Sequence, residues 1–150
     1  MRVLFVCTGN ICRSPMAEAL TRHLAQERGL AVEVDSAGTD AWHVGEPPHP
    51  GALAALSRRG IRLERRARQV GPEDAERFDL LVALDRGHAR ILRRRFPHAA
   101  AKVRLLSEFG PPGTLPDVPD PYYDGQHEAV CELVERCCRG LVDWLARVSR

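Results

Sequence analysis

Val6-Cys7-Thr8-Gly9-Asn10-Ile11-Cys12-Arg13-Ser14-Pro15 decides how this chain is read. It follows an apolar run, Val3-Leu4-Phe5-Val6, and leads into a helical pattern. The run predicts a strand ending at Cys7, and the pattern predicts a helix from Ser14 or Pro15. A short loop between a strand and a helix can turn the N–H groups of Thr8, Gly9, Asn10, Ile11, Cys12 and Arg13 inward. With the dipole of the following helix, that makes an anion cradle. Five residues separate Cys7 from Arg13, so a loop curled around one oxyanion puts a sulfur below it and a guanidinium beside it. The thiolate is the nucleophilic form of cysteine, and a helix N-terminus and a nearby Arg both favour it. Arg13 offers a planar fork that matches two phosphoryl oxygens, which a Lys could not. Gly9 lets the backbone approach closely, and Asn10 tolerates φ > 0 at modest cost. Ser14 suits two roles, N-cap of the helix and hydroxyl donor to the Cys7 sulfur. The Cys-x5-Arg spacing alone recurs by chance, as a buried Cys at a strand end with a solvated Arg. The case rests on the whole run.

Outward from that stretch, 150 residues predict one domain, 1–150, burying about 68–70% of its unfolded surface without metal or disulfide support. The hydrophobic share is 44% and the charged share 28%, an ordinary globular balance. A net charge of +2 does not argue for nucleic acid, although 21 of the 22 basic residues are Arg, grouped at Arg58 to Arg68 and Arg93 to Arg95. Such groups read as solvated helix faces. No apolar stretch approaches the roughly 18 residues of a membrane span, and Met1 to Cys7 lacks the regions of a signal peptide. The expected location is the cytoplasm, with the five cysteines as reduced thiols.

Along the chain, helices are expected at about Pro15 to Arg28, stopped by Gly29, at His49 to Arg59, at Arg86 to Arg95 and at Gln126 to Val148. Strands are expected at Ala31 to Ser36, Phe78 to Leu84 and Lys102 to Leu106. Phe78 to Leu84 lacks strict alternation, as a strand buried on both faces does. Val130, Leu133, Val134, Cys137, Cys138, Leu141, Trp144, Leu145 and Val148 mark one face of the last helix, with Cys131 beside it, so these cysteines read as small hydrophobes. Ser107 to Gly125 has five prolines and no period, and a stiff loop of that length is usually functional. A carboxyl on it, Asp120, beside Tyr122 and Tyr123, can protonate a leaving oxygen. The bare alternative is an Asp-Pro turn. The strand–helix alternation predicts an open α/β sheet of about four parallel strands, helices on both faces, ligand at the carboxyl ends.

The run from Val6 to Pro15, directly after a strand at the N-terminus, resembles the signature of the low-molecular-weight protein tyrosine phosphatases. Ser36-Ala37-Gly38-Thr39 and Asp120-Pro121-Tyr122-Tyr123 also look like that family, in the right order, so the resemblance covers nearly the whole chain. It implies that Ser36 helps hold the phosphate loop and that Trp42 walls the entrance. His43 receives no role, since a lone loop His is more often solvated. The family usually has an Asp followed by a loop-steadying Asn where Asp85-Arg86-Gly87-His88 stands, so His88 takes that part. It also commonly has a His ahead of the Ala67-Arg68-Gln69 stretch. Arg65 and Arg66 stand there instead, and the support of the loop is expected to be organised differently.

The resemblance implies hydrolysis of phosphotyrosine or another aryl phosphate through a phosphocysteine, with no metal or cofactor. Cys7 is the expected nucleophile, Asp120 the acid and then the base, and Arg13 with the loop N–H groups the charge stabiliser. Asn10, Ser14, Ser36 and His88 support the loop, and Trp42, Tyr122 and Tyr123 touch substrate. Partners would be a phosphotyrosine protein, such as a polysaccharide-linked bacterial tyrosine kinase, or a small aryl phosphate, with inorganic phosphate as product and inhibitor. No nucleic-acid or membrane partner is expected. Cys12 could form a reversible disulfide with Cys7 under peroxide. A protein-arginine phosphatase resembles this pattern but tends to carry Thr where Ile11 stands, and Ile11 with the two tyrosines suits a flat aromatic ring. An arsenate reductase needs further redox cysteines. Residues 79–90 have none, and Cys131 and Cys138 would lie about 10.5 Å apart along a helix. A phosphoprotein-binding module would have no use for Asp120.

Overall fold

The computed structural model describes residues 1–149, so Arg150 of the expected 1–150 domain lies outside the described residues. Four strands form one sheet: β1 (Arg2–Cys7), β2 (Glu33–Gly38), β3 (Leu80–Ala83) and β4 (Val103–Leu105). Their order is β2-β1-β3-β4, and every pairing is parallel. Five α-helices accompany them: α1 (Arg13–Glu27), α2 (Pro50–Ser57), α3 (Pro72–Arg77), α4 (Arg86–Arg95) and α5 (His127–Val148). Two 3-10 turns, Pro97–Lys102 and Leu106–Phe109, flank β4.

Because β1 is central, alternate side chains serve two separate cores. Val3, Phe5 and Cys7 face the layer of α1, α2 and α5, where Met16, Leu20, Leu56, Val134 and Leu141 pack. Leu4 and Val6 face the opposite layer, with Ala75, Phe78, Ala89, Leu92 and Phe96. Helices on both faces account for a near-continuous apolar β1 and β3. Cys131, Cys137 and Cys138 are all buried and free, as small hydrophobes. No helix of the described residues is long and apolar enough to cross a membrane.

The structure differs from the sequence expectation at several edges. Helix α1 begins at Arg13, preceded by Cys12, so Ser14 lies inside the first turn and is not its cap. Strand β2 lies two residues later, at Glu33–Gly38, because Gly38 pairs with Cys7 at the end of β1. His49 stands outside α2 as its N-cap, its ring accepting the Gly51 N–H at 2.9 Å. Helix α3 lies in a stretch to which no element was assigned. Pro72 opens it, and Asp74 turns back to accept the Gly71 N–H at 2.8 Å. The basic stretch 63–70 holds no helix, only an isolated bridge from Gln69 to Gly38.

Candidate active site

Cys7 ends the central strand at the carboxyl edge of the sheet, where a parallel α/β fold leaves a crevice. The next residues curl back over it. Asn10 takes φ of 58°, and its N–H approaches Cys7 Sγ at 3.3 Å, while Ser14 Oγ lies 3.0 Å from the same sulfur. Ser14 thus touches the Cys7 sulfur through a side chain that the first turn of α1 holds in place. The pocket over the loop is lined by Cys7, Thr8, Gly9, Ile11, Cys12, Arg13, Trp42, His43, Asp120, Tyr122 and Tyr123.

Buried Arg13 is held from two sides. Its Nη1 donates to Asp85 Oδ2 at 3.1 Å and to the Val118 carbonyl at 3.0 Å. Its Nη2 lies 3.5 Å from both Asp120 Oδ2 and Thr8 Oγ1. Its Nε has no protein partner among the described residues, an orphaned donor of the kind an anion satisfies. Asp120 reaches the pocket because its loop is stitched to β3: Val118 N–H donates to the Leu84 carbonyl at 3.0 Å. Farther back, Ser107 Oγ donates to the Pro116 carbonyl at 2.9 Å.

Beneath the loop, the Asn10 side chain uses all its polar groups. Nδ2 donates to Ser14 Oγ and Ser36 Oγ, each at 2.9 Å, and Oδ1 accepts from Arg65 Nη2 at 2.9 Å and Arg68 N–H at 3.0 Å. Arg65 also pairs with buried Glu18 and, at 2.9 Å, with Asp35, and Ser36 Oγ donates to Glu18 at 2.6 Å. Arg65 is therefore a half-buried support rather than part of a solvated face. The Asp35 carboxyl is held below its usual range by the Ser36 N–H and the Arg68 and Arg65 cations, against the opposing effect of its burial. No short-range signal marks Arg65, which is 55 positions from Asn10.

On the other side of Arg13, His88 Nε2 lies 2.8 Å from Thr8 Oγ1 and its Nδ1 is 3.1 Å from Asp85 Oδ1. Burial, then the Arg13 cation, lower the His88 pKa to about 4, so the ring is neutral near pH 7.

Aromatic groups frame the entrance. Trp42 and Tyr123 are strongly exposed, at 76% and 84%, and Tyr122 is 40% exposed, leaving their faces open to a ligand. His43, which was given no role, also lines the pocket. Its ring centroid is 5.6 Å from that of Tyr122, and a Cβ on Gly9 would come within 2.7 Å of it. His49 and His127 were missed too: His49 meets Tyr122 edge-on at 5.8 Å and stacks on His127 at 4.4 Å. His127 Nε2 lies 3.4 Å from Cys12 Sγ, and burial pushes the Cys12 thiol up to about 12.

The model of one family, low molecular weight phosphotyrosine protein phosphatase, matches residues 2–150. The chain belongs to this family. A low molecular weight protein-tyrosine-phosphatase of Streptomyces coelicolor is 51% identical over 150 residues, covering 94% of this chain and 91% of the relative. The low molecular weight protein-tyrosine-phosphatase YfkJ of Bacillus subtilis is 46% identical over 145 residues, covering 93% and 92%. Its crystal structure superposes with a TM-score of 0.96 at 41% identity, over 100% of this chain and 97% of that one. A cysteine-to-serine mutant of the YwlE arginine phosphatase of Bacillus subtilis, its active-site serine phosphorylated, gives 0.90 at 35% identity, over 98% and 97%. In this low molecular weight phosphotyrosine protein phosphatase, Cys7 lies at the strand edge where parallel sheets place ligands.

Proposed function

We propose that the protein hydrolyses phosphotyrosine monoesters in two steps through a phosphocysteine. The observation that carries this is the convergence of Cys7, Arg13 and Asp120 on one pocket walled by aromatic rings. In the first step the Cys7 thiolate forms an S–P bond in line with the breaking P–O bond, and Asp120 gives its proton to the departing phenol. Arg13 and the N–H groups of Thr8 through Arg13 take up charge on the equatorial oxygens. In the second step water forms a P–O bond as the S–P bond breaks. Asp120 accepts the water proton, and Ser14 Oγ–H stabilises the returning thiolate. Asn10, Ser36, Arg65 and His88 hold the loop in one geometry, so the donors need no reorganisation when charge develops.

The likeness to an arginine phosphatase raises phosphoarginine as a second substrate. Ile11 on the pocket wall, with Trp42, Tyr122 and Tyr123 around it, favours a flat phenol ring. The natural phosphoprotein would approach over Trp42 and Tyr123, and inorganic phosphate, the product, should compete for the same loop. The five free thiols suit a reducing compartment, and we place the protein in the cytoplasm.

The deciding experiment is phosphate release from an aryl phosphate and from phosphoarginine at mildly acidic pH with excess chelator, comparing wild type with Cys7→Ser. Turnover of the aryl phosphate by wild type alone is expected. Release by the variant, or faster release from phosphoarginine, overturns the reading.

A further inference from the structure

Behind the phosphate loop lies a cluster of soft ligand atoms that the two-step mechanism does not use. Cys12 Sγ is 3.4 Å from His127 Nε2, and one ring nitrogen each of His49 and His127 falls with that sulfur within 4.8 Å of one another. We propose that Cys12, His49 and His127 form a binding site for a divalent ion of the zinc class, and that the bound ion reversibly inhibits the enzyme.

Zinc takes thiolate sulfur and imidazole nitrogen at distances that put the two ligand atoms about 3.5 Å apart around a tetrahedral ion. The Cys12–His127 separation already matches that edge. One thiolate and two imidazoles are a donor set that zinc favours over magnesium or calcium, and they leave a fourth position for water. His127 is fixed: it is buried and opens α5, and a Cβ on Gly51 would stand only 2.4 Å from its Nδ1. The absence of a side chain at Gly51 thus makes room for this ring.

His49 is the adjustable ligand. Stacked imidazoles 19° from parallel do not aim their in-plane lone pairs at one point, so His49 must turn out of the stack to bind. It can do so because it is half-buried, precedes α2, and faces the groove formed with Ile11, His43, Glu46 and Tyr122. The groove gives the ion its path. If the ion takes His49 Nδ1, the Gly51 N–H bond there is given up. Binding breaks the Cys12 S–H bond, forms a sulfur–metal bond and releases the proton to solvent, with no change of oxidation state. Cys12 contributes the loop N–H next to Arg13, and its carbonyl starts α1 by accepting from Met16 N–H at 3.2 Å. An ion pulling on its sulfur therefore shifts the cradle away from its catalytic geometry.

The test is independent of catalysis, because the nucleophile can be removed first. Cys7→Ser protein is titrated anaerobically with Co²⁺, whose bonds to thiolate give a near-ultraviolet charge-transfer band, and then with Zn²⁺ to displace it. One equivalent of Co²⁺ should develop the band, which should be lost in Cys7→Ser/Cys12→Ser. Binding should weaken at least about tenfold in Cys7→Ser/His49→Gln, a change at a half-buried position that leaves folding intact even if the Cys12 variant fails to fold. In the Cys7-containing enzyme, Zn²⁺ inhibition should be reversed by chelator and blunted to the same degree by His49→Gln. No band in Cys7→Ser, a band that survives loss of Cys12 sulfur, affinity unchanged by His49→Gln, or inhibition indifferent to that change overturns the proposal.

Discussion

Asp120 illustrates how much of the site is chemistry of single groups. Its carboxylate lies 3.5 Å from Arg13 Nη2 on the wall of the pocket, the placement on which its proposed acid role rests. Asp120→Asn keeps the shape and removes the proton. The expected outcome is a fall in kcat of roughly 10²–10⁴ for an unactivated phenyl phosphate and a much smaller fall for a nitrophenyl ester, whose phenol leaves without help. Steady-state kinetics on the two esters measure the difference, and an equal loss on both would remove Asp120 from the acid role. At this scale the contiguous residues were legible, because Cys7, Asn10, Arg13 and Ser14 belong to one unbroken run of chain, whose residues lie together around the Cys7 sulfur. Arg65 was legible only in part: its standing in place of the family's His points to a different support of the loop, but nothing local to residues 63–70 says that its guanidinium closes on Asn10 and Glu18. His43 was not legible: its packing against Tyr122 joins two loops distant in sequence.

Among the elements, α5 and the 3-10 turn Leu106–Phe109 approach each other closely at Gly140. A Cβ on Gly140 would stand 1.8 Å from the Phe109 carbonyl oxygen, where nothing flexible can give way. The same contact seats the Phe109 ring 5.5 Å from Trp144, with Arg104 over both. Gly140→Ala should therefore destabilise the fold by about 3 kcal/mol despite the better helix propensity of alanine. Urea unfolding followed by Trp144 fluorescence measures it, and a neutral or stabilising result would contradict this packing. Long elements were readable from period: of the expected stripe on α5, Val130, Val134, Cys137, Cys138, Leu141 and Leu145 are buried, Leu133 and Trp144 are half-buried, and Val148, in the last turn, is exposed. Short ones were not. Helix α3, Pro72–Arg77, is too brief and too polar to show a face. The end of β2 is set by pairing with Cys7, which lies on another strand.

At the scale of the whole molecule, His88 links the site to stability. It is buried on α4 between Thr8 and Asp85, and its pKa falls from 6.5 to about 4. The unfolded chain takes up a proton at this residue as pH falls through its ordinary pKa, while the folded protein does not until near 4. Stability tied to His88 is therefore fully present above about pH 6.5 and is lost progressively as pH falls toward 4. His88→Asn should flatten that acid limb by up to about 3 kcal/mol while still offering Thr8 a hydrogen bond. Urea midpoints of both proteins across this range decide it, and parallel curves would show that His88 does not carry the dependence.

The sequence by itself determined the α/β class and the parallel sheet, because periodicity and strand-to-helix punctuation are local properties, and one contiguous motif, Val6 to Pro15, carried the resemblance to the family. The resemblance already points to Ser36 and His88 as supports of the loop that follows β1, and they meet Asn10 and Thr8 there. Only the tertiary structure decided that Arg65 closes on Asn10 and that Cys12 meets His127 across 115 positions, through side chains that packing around one sheet brings together. Such contacts are consequences of three-dimensional closure, and no spacing along the chain encodes them.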